Sequence, residues 1–143
     1  MNCPCGSGQD YEVCCGPFHA KRRDPATAEE LMRSRYAAYV LRKIDYLIAT
    51  HDPDRRSEFN PLSAGQWAAQ ADWKRLDIRS TRKGQVTDDT GMVEFIAWYL
   101  SDGELTCHHE MSDFRRVDGR WVYSDGAGRS AESVLSAMGR NDL

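Results

Sequence analysis

The order of apolar and polar positions predicts one long helix in the first third of the chain. Thr27 is a good N-cap, and Glu30 three residues later completes a capping box. Apolar side chains then recur at the three- and four-residue spacing of one helix face. They are Met32, Tyr36, Val40, Ile44, Leu47 and Ile48. The helix should end near Thr50, with a break near Ile44, because about 24 residues is long for a globular helix.

A two-residue period replaces the helical one in the second half of the chain and predicts an antiparallel sheet. Ser63 and Gln66 form a second capping box, which predicts a short helix to about Ala71 before the first strand. Asp-Gly pairs at 102–103 and 118–119 are typical of tight hairpin turns. The predicted strands are 73–80, 92–101, 104–117 and 120–124.

A helix followed by a meander of strands is typical of the α+β class. The strand 92–101 is apolar on both faces, which indicates a curved antiparallel sheet packed on the long N-terminal helix. The predicted organisation is a small cysteine-rich motif over residues 1–20, a main domain over 27–126 and a C-terminal tail over 127–143.

Composition narrows the class of protein without naming a function. The 143 residues suffice for one ordinary domain, and no apolar run is long enough to span a membrane. The first residues, MNCPCGSGQD, lack the basic and apolar regions of a secretory signal, so a cytoplasmic location is expected. The net charge of −3 does not favour nucleic acid as a partner.

The candidate chemistry is concentrated in CPCGSGQDYEVCC, which holds four of the five cysteines. A reducing compartment disfavours disulfides, and four thiolates form a complete tetrahedral shell for Zn²⁺. The spacing of Cys3, Cys5, Cys14 and Cys15 is not the usual zinc spacing, so a cluster of redox-active thiols is the rival hypothesis. His19 is an alternative to Cys15 as the fourth ligand.

This stretch looks like the SEC-C motif, the small zinc-binding module at the C-terminus of the SecA translocation ATPase. That motif has C-x-C, eight residues, and then Cys-Cys or Cys-His, which this chain matches position by position. Together with TAEELMRSRYAAYV and DGRWVYSDG, the chain resembles the YchJ-like family of uncharacterised bacterial proteins. The resemblance implies an NTF2-like (cystatin-like) domain behind a motif that binds one structural Zn²⁺.

One stretch of the predicted third strand holds candidates for catalysis. Alternation along a strand places His108, Glu110, Ser112 and Phe114 on the same face, where His108 and Glu110 could act as acid and base. The alternative, which the residues favour, is that Glu110 and Ser112 satisfy buried polar groups or pair with Arg33 or Arg35. Three further aromatic residues are predicted to be core residues rather than ligand contacts. They are Trp98, Trp121 and Tyr123.

Two functions remain open from the sequence. The first is a binding or adaptor module, in which a structural zinc and the adjacent basic run Lys21–Arg23 present a surface to a protein partner. The second is a small-molecule binder or an enzyme that uses the NTF2-like pocket with Glu110 as acid or base. We favour the first hypothesis, and we therefore expect a binding module rather than an enzyme.

Overall fold

The structure, a computed structural model, describes residues 1–129. The helices are α1 (Gly16–His19), α2 (Ala28–Val40), α3 (Ile44–Ala49) and α4 (Pro61–Gln70), with 3₁₀ turns at Tyr11–Val13 and Pro53–Glu58. The strands are β1 (Asp72–Lys83), β2 (Thr90–Ser101), β3 (Glu104–Val117) and β4 (Arg120–Arg129). Among the described residues, no helix is long and apolar enough to cross a membrane.

The predicted break in the long helix is confirmed between α2 and α3. Thr27 caps α2 by accepting a hydrogen bond from the Glu30 backbone N–H at 3.1 Å. After Val40 the chain turns through Arg42, whose φ of 59° is left-handed and ends the regular helix. A second helix segment, α3, then begins at Ile44 and packs against α2 and α4.

The start of α4 differs from the predicted start. Asn60, not Ser63, is the N-cap, because the Asn60 side chain accepts a hydrogen bond from the Ser63 backbone N–H at 3.1 Å. Pro61 then occupies the first helical position, where its missing N–H has no intrahelical partner to lose. The prediction that α4 is capped by Ser63 was therefore wrong by about one helical turn. The Asn60-Pro61 pair is the signal that marks the start of the helix.

The α+β prediction is confirmed by a four-stranded antiparallel sheet in the order β1-β2-β3-β4. Strands β1 and β4 are longer than predicted, with β1 reaching Lys83 and β4 reaching Arg129. In the register of β2 with β3, Phe95 lies opposite Glu110. The predicted tail at 127–143 overlaps the end of β4, and its residues 130–143 lie outside the described part of the chain.

The core lies between α2 and one face of the sheet. Leu31, Met32 and Tyr36 from α2 pack against Phe95 and Phe114 from β2 and β3. Each such side chain contributes about 1.5–3 kcal/mol when removed from water, so this face stabilises the domain without help from a metal. Trp121 is a core residue as predicted. Trp98 is buried on the opposite face of β2 and donates from Nε1 to Asp77 Oδ2 at 2.9 Å.

A polar connection fastens the segment after α3 to the far edge of the sheet. The Arg115 guanidinium donates to both carboxylate oxygens of Asp52, at 2.5 and 2.6 Å, and the Ser124 hydroxyl donates to Asp52 Oδ2 at 2.9 Å. Arg115 is the main cause that holds the pKa of Asp52 well below its ordinary value, although the Asp52 side chain is only 2% exposed. This connection positions His51 beside Tyr123, at one wall of an internal cavity.

Candidate functional site

The four cysteines near the N-terminus lie together around a common centre. Their sulfur atoms are all within 4.8 Å of one another, with 3.6 Å between Cys5 and Cys14 and 4.0 Å between Cys14 and Cys15. A tetrahedron of thiolates at 2.3 Å from Zn²⁺ has edges of about 3.8 Å. The cysteines are free thiols in this structure, and Cys3, Cys5 and Cys15 are buried. The cluster therefore has the donor set and the spacing to hold a metal ion.

A tight loop brings the two cysteine pairs together. The Cys3 N–H donates to the Gln9 carbonyl at 2.9 Å, and the Tyr11 N–H donates to the Met1 carbonyl at 2.9 Å, which closes the loop. Gly6 and Gly8 have φ of 82° and 85°, a backbone conformation that residues with a side chain rarely adopt. The loop between the cysteine pairs is thus closed by contacts within the first eleven residues.

Without a metal, the cluster stabilises one thiolate at the expense of its neighbours. A hydrogen bond from the Cys15 thiol lowers the pKa of Cys5 to about 4. Donating that hydrogen bond, together with burial, raises the pKa of Cys15, and burial raises the pKa of Cys3 to about 11. Sulfurs this close repel one another as thiolates, so a divalent cation is what would allow all four to be deprotonated together.

The cysteine cluster packs directly on α2. Ala37 is the residue of α2 that is buried against the cysteines. Arg33, one turn earlier, donates from Nη1 to the Cys5 carbonyl at 2.9 Å and from Nε to Glu29 at 2.9 Å. A metal in the cluster would thereby hold the N-terminal loop against the main domain.

His19, the alternative ligand in the sequence analysis, has both ring nitrogens in hydrogen bonds. Nε2 lies 2.8 Å from the Ser34 carbonyl, and Nδ1 lies 2.6 Å from the Tyr11 hydroxyl. Burial lowers the pKa of His19, so the ring is neutral, donates to Ser34 and accepts from Tyr11. The ring is thus a connection between the cysteine loop and α2.

The basic run Lys21–Arg23 forms one side of a groove of about 800 Å³. The opposite side is formed by the end of α3, the following 3₁₀ turn and the β3–β4 turn. The groove lining has five cationic and two acidic side chains, which are Lys21, Arg22, Arg23, Arg56, Arg120, Asp24 and Asp118. Arg23 donates to the Cys14 carbonyl at 3.5 Å and lies over the Phe18 ring at 4.6 Å, so this side of the groove depends on the cysteine loop.

A second candidate site is a cavity of about 230 Å³ between the helices and the sheet. Its walls are mainly aromatic rings: Tyr36, Tyr39, Phe59, Trp67, Trp73 and Phe95. Several of these rings meet edge to face, among them Tyr36 with Trp73 at 5.8 Å and Trp67 with Trp73 at 5.1 Å between centroids. The polar groups at the cavity are Arg35, His51, Glu58, His108, Glu110 and Tyr123.

Glu110 is the acceptor of a compact hydrogen-bond network in this cavity. His108 Nε2 lies 3.0 Å from Oε1, the Tyr123 hydroxyl donates to Oε2 at 2.8 Å, and Ser112 Oγ also donates to Oε2. Burial alone would raise the pKa of Glu110, but hydrogen bonds from His108, Ser112 and Tyr123 outweigh burial and lower it. The prediction that His108, Glu110 and Ser112 share one face of β3 is confirmed.

Two expectations about these residues need correction. Tyr123 is not a simple core residue, because its ring lies under the Arg35 guanidinium at 4.7 Å and its hydroxyl reaches the cavity network. Of the two roles expected for Glu110, the ion pair with Arg33 or Arg35 is not found among the described residues. The other role is confirmed, because Glu110 satisfies polar groups of His108, Ser112 and Tyr123. In the pairing of β3 with β4, Tyr123 lies opposite Phe114, and its hydroxyl still reaches Glu110 at 2.8 Å.

Sequence reasoning missed the contributions of His51 and Gly126 to the cavity. His51 is 5% exposed, and its Nδ1 has no hydrogen-bond partner. Any side chain at Gly126 would collide with the Glu110 carboxylate and the Tyr123 hydroxyl, so only glycine allows β4 to approach the network. Gly126 ends the DGRWVYSDG stretch that carries the family resemblance, but that stretch does not indicate a contact with Glu110. Only the fold brings each of the two residues to the cavity.

Family models match most of the chain. The model for the YchJ middle NTF2-like domain matches residues 27–126, and the model for the SEC-C motif matches residues 2–17. The resemblance to YchJ-like proteins and the NTF2-like fold are thus confirmed.

Relatives and solved structures agree with these matches. A UPF0225 protein of Geobacter sulfurreducens is 43% identical over 98% of this chain and 88% of its own length. A UPF0225 protein of Photorhabdus laumondii is 40% identical over 97% and 87%. A SEC-C motif containing protein from Rhodopseudomonas palustris has a TM-score of 0.82 at 42% identity, over 91% of this chain and 100% of its own. One from Psychrobacter arcticus has a TM-score of 0.75 at 27% identity, over 89% and 82%.

Proposed function

The chain belongs to the UPF0225 family of bacterial proteins, and we propose that it is a zinc-stabilised binding module that presents its basic groove to an acidic segment of a protein partner. The observation that carries this proposal is the cysteine cluster, with four sulfurs within 4.8 Å of one another. Four thiolates at tetrahedral spacing suit Zn²⁺ better than the hard cations that prefer oxygen. The proposed ligands are Cys3, Cys5, Cys14 and Cys15.

A zinc ion with four protein ligands has no open coordination position for water or substrate. Its role is therefore structural, since catalytic zinc sites retain such a position. The cysteine loop has almost no apolar core of its own, because only cysteines and Ala37 are buried in its cluster. We place the protein in the cytoplasm, where thiols remain reduced and available to the metal.

The basic groove supplies the surface for a partner. Its lining has a net charge of +3, whereas the whole chain has a net charge of −3. Such a separation of charge favours encounter with an acidic polypeptide and disfavours binding of other basic surfaces. Because Arg23 contacts the Cys14 carbonyl, the metal would order one side of the groove and make partner binding depend on zinc.

Metal analysis tests the first half of the proposal. Protein purified without chelator should contain one zinc per chain by elemental analysis, and Cys14→Ser should lose it. The matched control is Cys107→Ser, which removes the buried fifth cysteine on β3 and should retain the zinc. Iron in place of zinc, or oxidised cysteines with no metal, would overturn the assignment.

Peptide binding tests the second half. A fluorescent peptide rich in Glu and Asp should bind the zinc-loaded protein and bind at least about tenfold more weakly to the double variant Arg22→Glu/Arg23→Glu. The control is Arg79→Glu/Arg82→Glu, which makes the same change of charge on exposed positions of β1. Equal loss in both variants would mean that net charge, not the groove, attracts the peptide.

A second candidate function is favoured by the internal cavity, which we propose as a small-molecule binding site. It combines aromatic walls with a few convergent polar groups, as ligand pockets do. Three hydrogen bonds stabilise the Glu110 carboxylate, which makes it a weak base. The role proposed for Glu110 is accordingly to organise the cavity rather than to transfer protons.

A further inference from the structure

Arg35 is a buried cation with no acidic partner. Its side chain lies at the cavity, and the residue is 5% exposed. No carboxylate among residues 1–129 lies within ion-pair distance of its guanidinium, although other arginines such as Arg33 and Arg115 do have such partners. An unpaired buried charge is unfavourable, so its presence indicates that something else supplies the anion.

Only part of the Arg35 guanidinium is satisfied by the protein. Nη1 donates to the Leu47 carbonyl at 3.0 Å and to Thr50 Oγ1 at 2.7 Å. Within the described residues, Nε and Nη2 have no hydrogen-bond acceptor. Guanidinium N–H groups bind carboxylates in a bidentate, planar geometry, and Nε with Nη2 forms one such pair of donors.

The cavity has two carboxylates, Glu58 and Glu110, and neither binds the Arg35 guanidinium directly. Glu58 pairs with Arg55 at 3.4 Å, and Glu110 acts on Arg35 only through its charge. The two Glu110 oxygens already accept hydrogen bonds from His108, Ser112 and Tyr123, and none of these comes from Arg35. Tyr123 separates the two charges, because its ring stacks under Arg35 while its hydroxyl donates to Glu110. The cavity thus holds a carboxylate whose oxygens are already hydrogen-bonded at one position and an incompletely bound guanidinium at another.

The walls and the size of the cavity define the rest of the ligand. About 230 Å³ has room for a single ring with small substituents, roughly ten non-hydrogen atoms. Trp67, Trp73 and Phe95 offer the edge-to-face contacts that aromatic rings prefer. The buried Nδ1 of His51, a residue that lines the same cavity, also has no hydrogen-bond partner in the protein.

We propose that the cavity binds a small aromatic carboxylate, with the carboxylate on Nε and Nη2 of Arg35 and the ring between the aromatic walls. This inference rests on the second proposed function, the use of the cavity as a small-molecule site. An organic cation, which aromatic walls also attract, is disfavoured because Arg35 already occupies the face of Tyr123 and would repel it.

The wild-type protein tests the ligand class without any mutation. Calorimetric titration of the zinc-loaded full chain would compare 4-hydroxybenzoate with 4-hydroxybenzamide and 4-hydroxybenzylamine, which differ mainly in charge. We expect a Kd below about 1 mM for the acid and at least about tenfold weaker binding of the amide and the amine. Tighter or equal binding of the amide or the amine overturns the carboxylate while the cavity function stands, whereas no binding of any of the three overturns both.

Variants then test the position of the ligand. Arg35→Gln should weaken binding of 4-hydroxybenzoate at least about tenfold and reduce its preference over the amide, whereas Arg79→Gln on exposed β1 should change neither. If Arg35→Gln fails to fold, Ala97→Leu serves instead, because it adds volume to a residue that lines the cavity. Loss of binding in Ala97→Leu supports the site, and unchanged affinity in a folded variant of either kind overturns it.

Discussion

The cysteine loop and the internal cavity are two candidate sites built in opposite ways. The loop takes its four thiols from residues 3–15 and closes through backbone hydrogen bonds within the same stretch. The cavity takes its groups from residues between 32 and 123, which α2, α4 and all four strands bring together. The difference teaches that a chelating site can be recognised from local spacing, whereas a cavity depends on strand register and helix placement.

The two regions also differ in what stabilises them. The main domain has an extended apolar core between α2 and the sheet, but the cysteine loop buries little besides its own thiols and Ala37. A structural zinc contributes about 10–16 kcal/mol to small units of this kind. The loop should therefore depend on metal, and the cavity should not.

The largest expected effect comes from removing the metal. Cys14→Ser, or treatment with a strong chelator, should unfold residues 2–15 and leave the sheet intact, because only this loop lacks an apolar core. Phe18 in α1 belongs to the main core and should remain buried. Hydrogen exchange with site resolution would show loss of protection at Cys3 and Tyr11 but not in β2 or β3. Loss of protection throughout the sheet would contradict the separation of the two regions.

The next largest effect is expected from removing Glu110, the acceptor of the hydrogen-bond network in the cavity. Glu110→Ala should lower the free energy of unfolding by about 2–4 kcal/mol, because the buried Ser112 hydroxyl and two partly buried donors, on His108 and Tyr123, lose their acceptor. Zinc content should stay unchanged, which elemental analysis would check beside chemical denaturation. Glu104→Ala, at the exposed first position of β3, is the control and should change stability little. A Glu110 variant that loses zinc would mean that the regions are coupled.

An intermediate effect is expected where the segment after α3 meets the sheet. Asp52→Asn should lower the melting temperature at pH 7 by roughly 5 °C, since it removes a carboxylate held by Arg115 and Ser124. The folded-state pKa of Asp52 is depressed below its ordinary value of 3.8. Its contribution is thus present above about pH 4 and is lost as the pH falls further. The melting temperatures of wild type and variant should converge in acid. A difference that stays constant with pH would show that the charge of Asp52 does not cause the stabilisation.

The smallest effect on stability is expected at His19, where the cysteine loop contacts the main domain. His19→Gln should reduce stability by about 1 kcal/mol, because the ring connects Tyr11 in the loop to Ser34 in α2. Zinc content should remain at one per chain by elemental analysis, unlike in Cys15→Ser. Retention of zinc in Cys15→Ser and its loss in His19→Gln would instead make His19 the fourth ligand.

Helix starts and breaks that follow from one clear local pattern could be predicted from the sequence. Where two local signals compete, as at the start of α4, the sequence did not show which one would cap the helix. Thr27 caps α2 as expected, and the helix breaks near Ile44 because a residue in the left-handed region ends it. Asn60 displaced Ser63 as the cap of α4, since two overlapping start signals cannot be ranked by spacing alone. On β3, alternation placed His108 and Glu110 on one face but could not identify their partners on β4.

By itself, the sequence determined the cysteine loop, the order of helices and strands, and the faces of each strand. These follow from contacts between residues a few positions apart, where spacing and backbone preference act directly. Only the tertiary structure decided that Tyr123 would bond Glu110, that Gly126 would make room for that bond, and that Arg35 would be buried without an acidic partner. The physical reason is that strand pairing and helix packing bring together groups far apart along the chain, and no local pattern records which groups will meet.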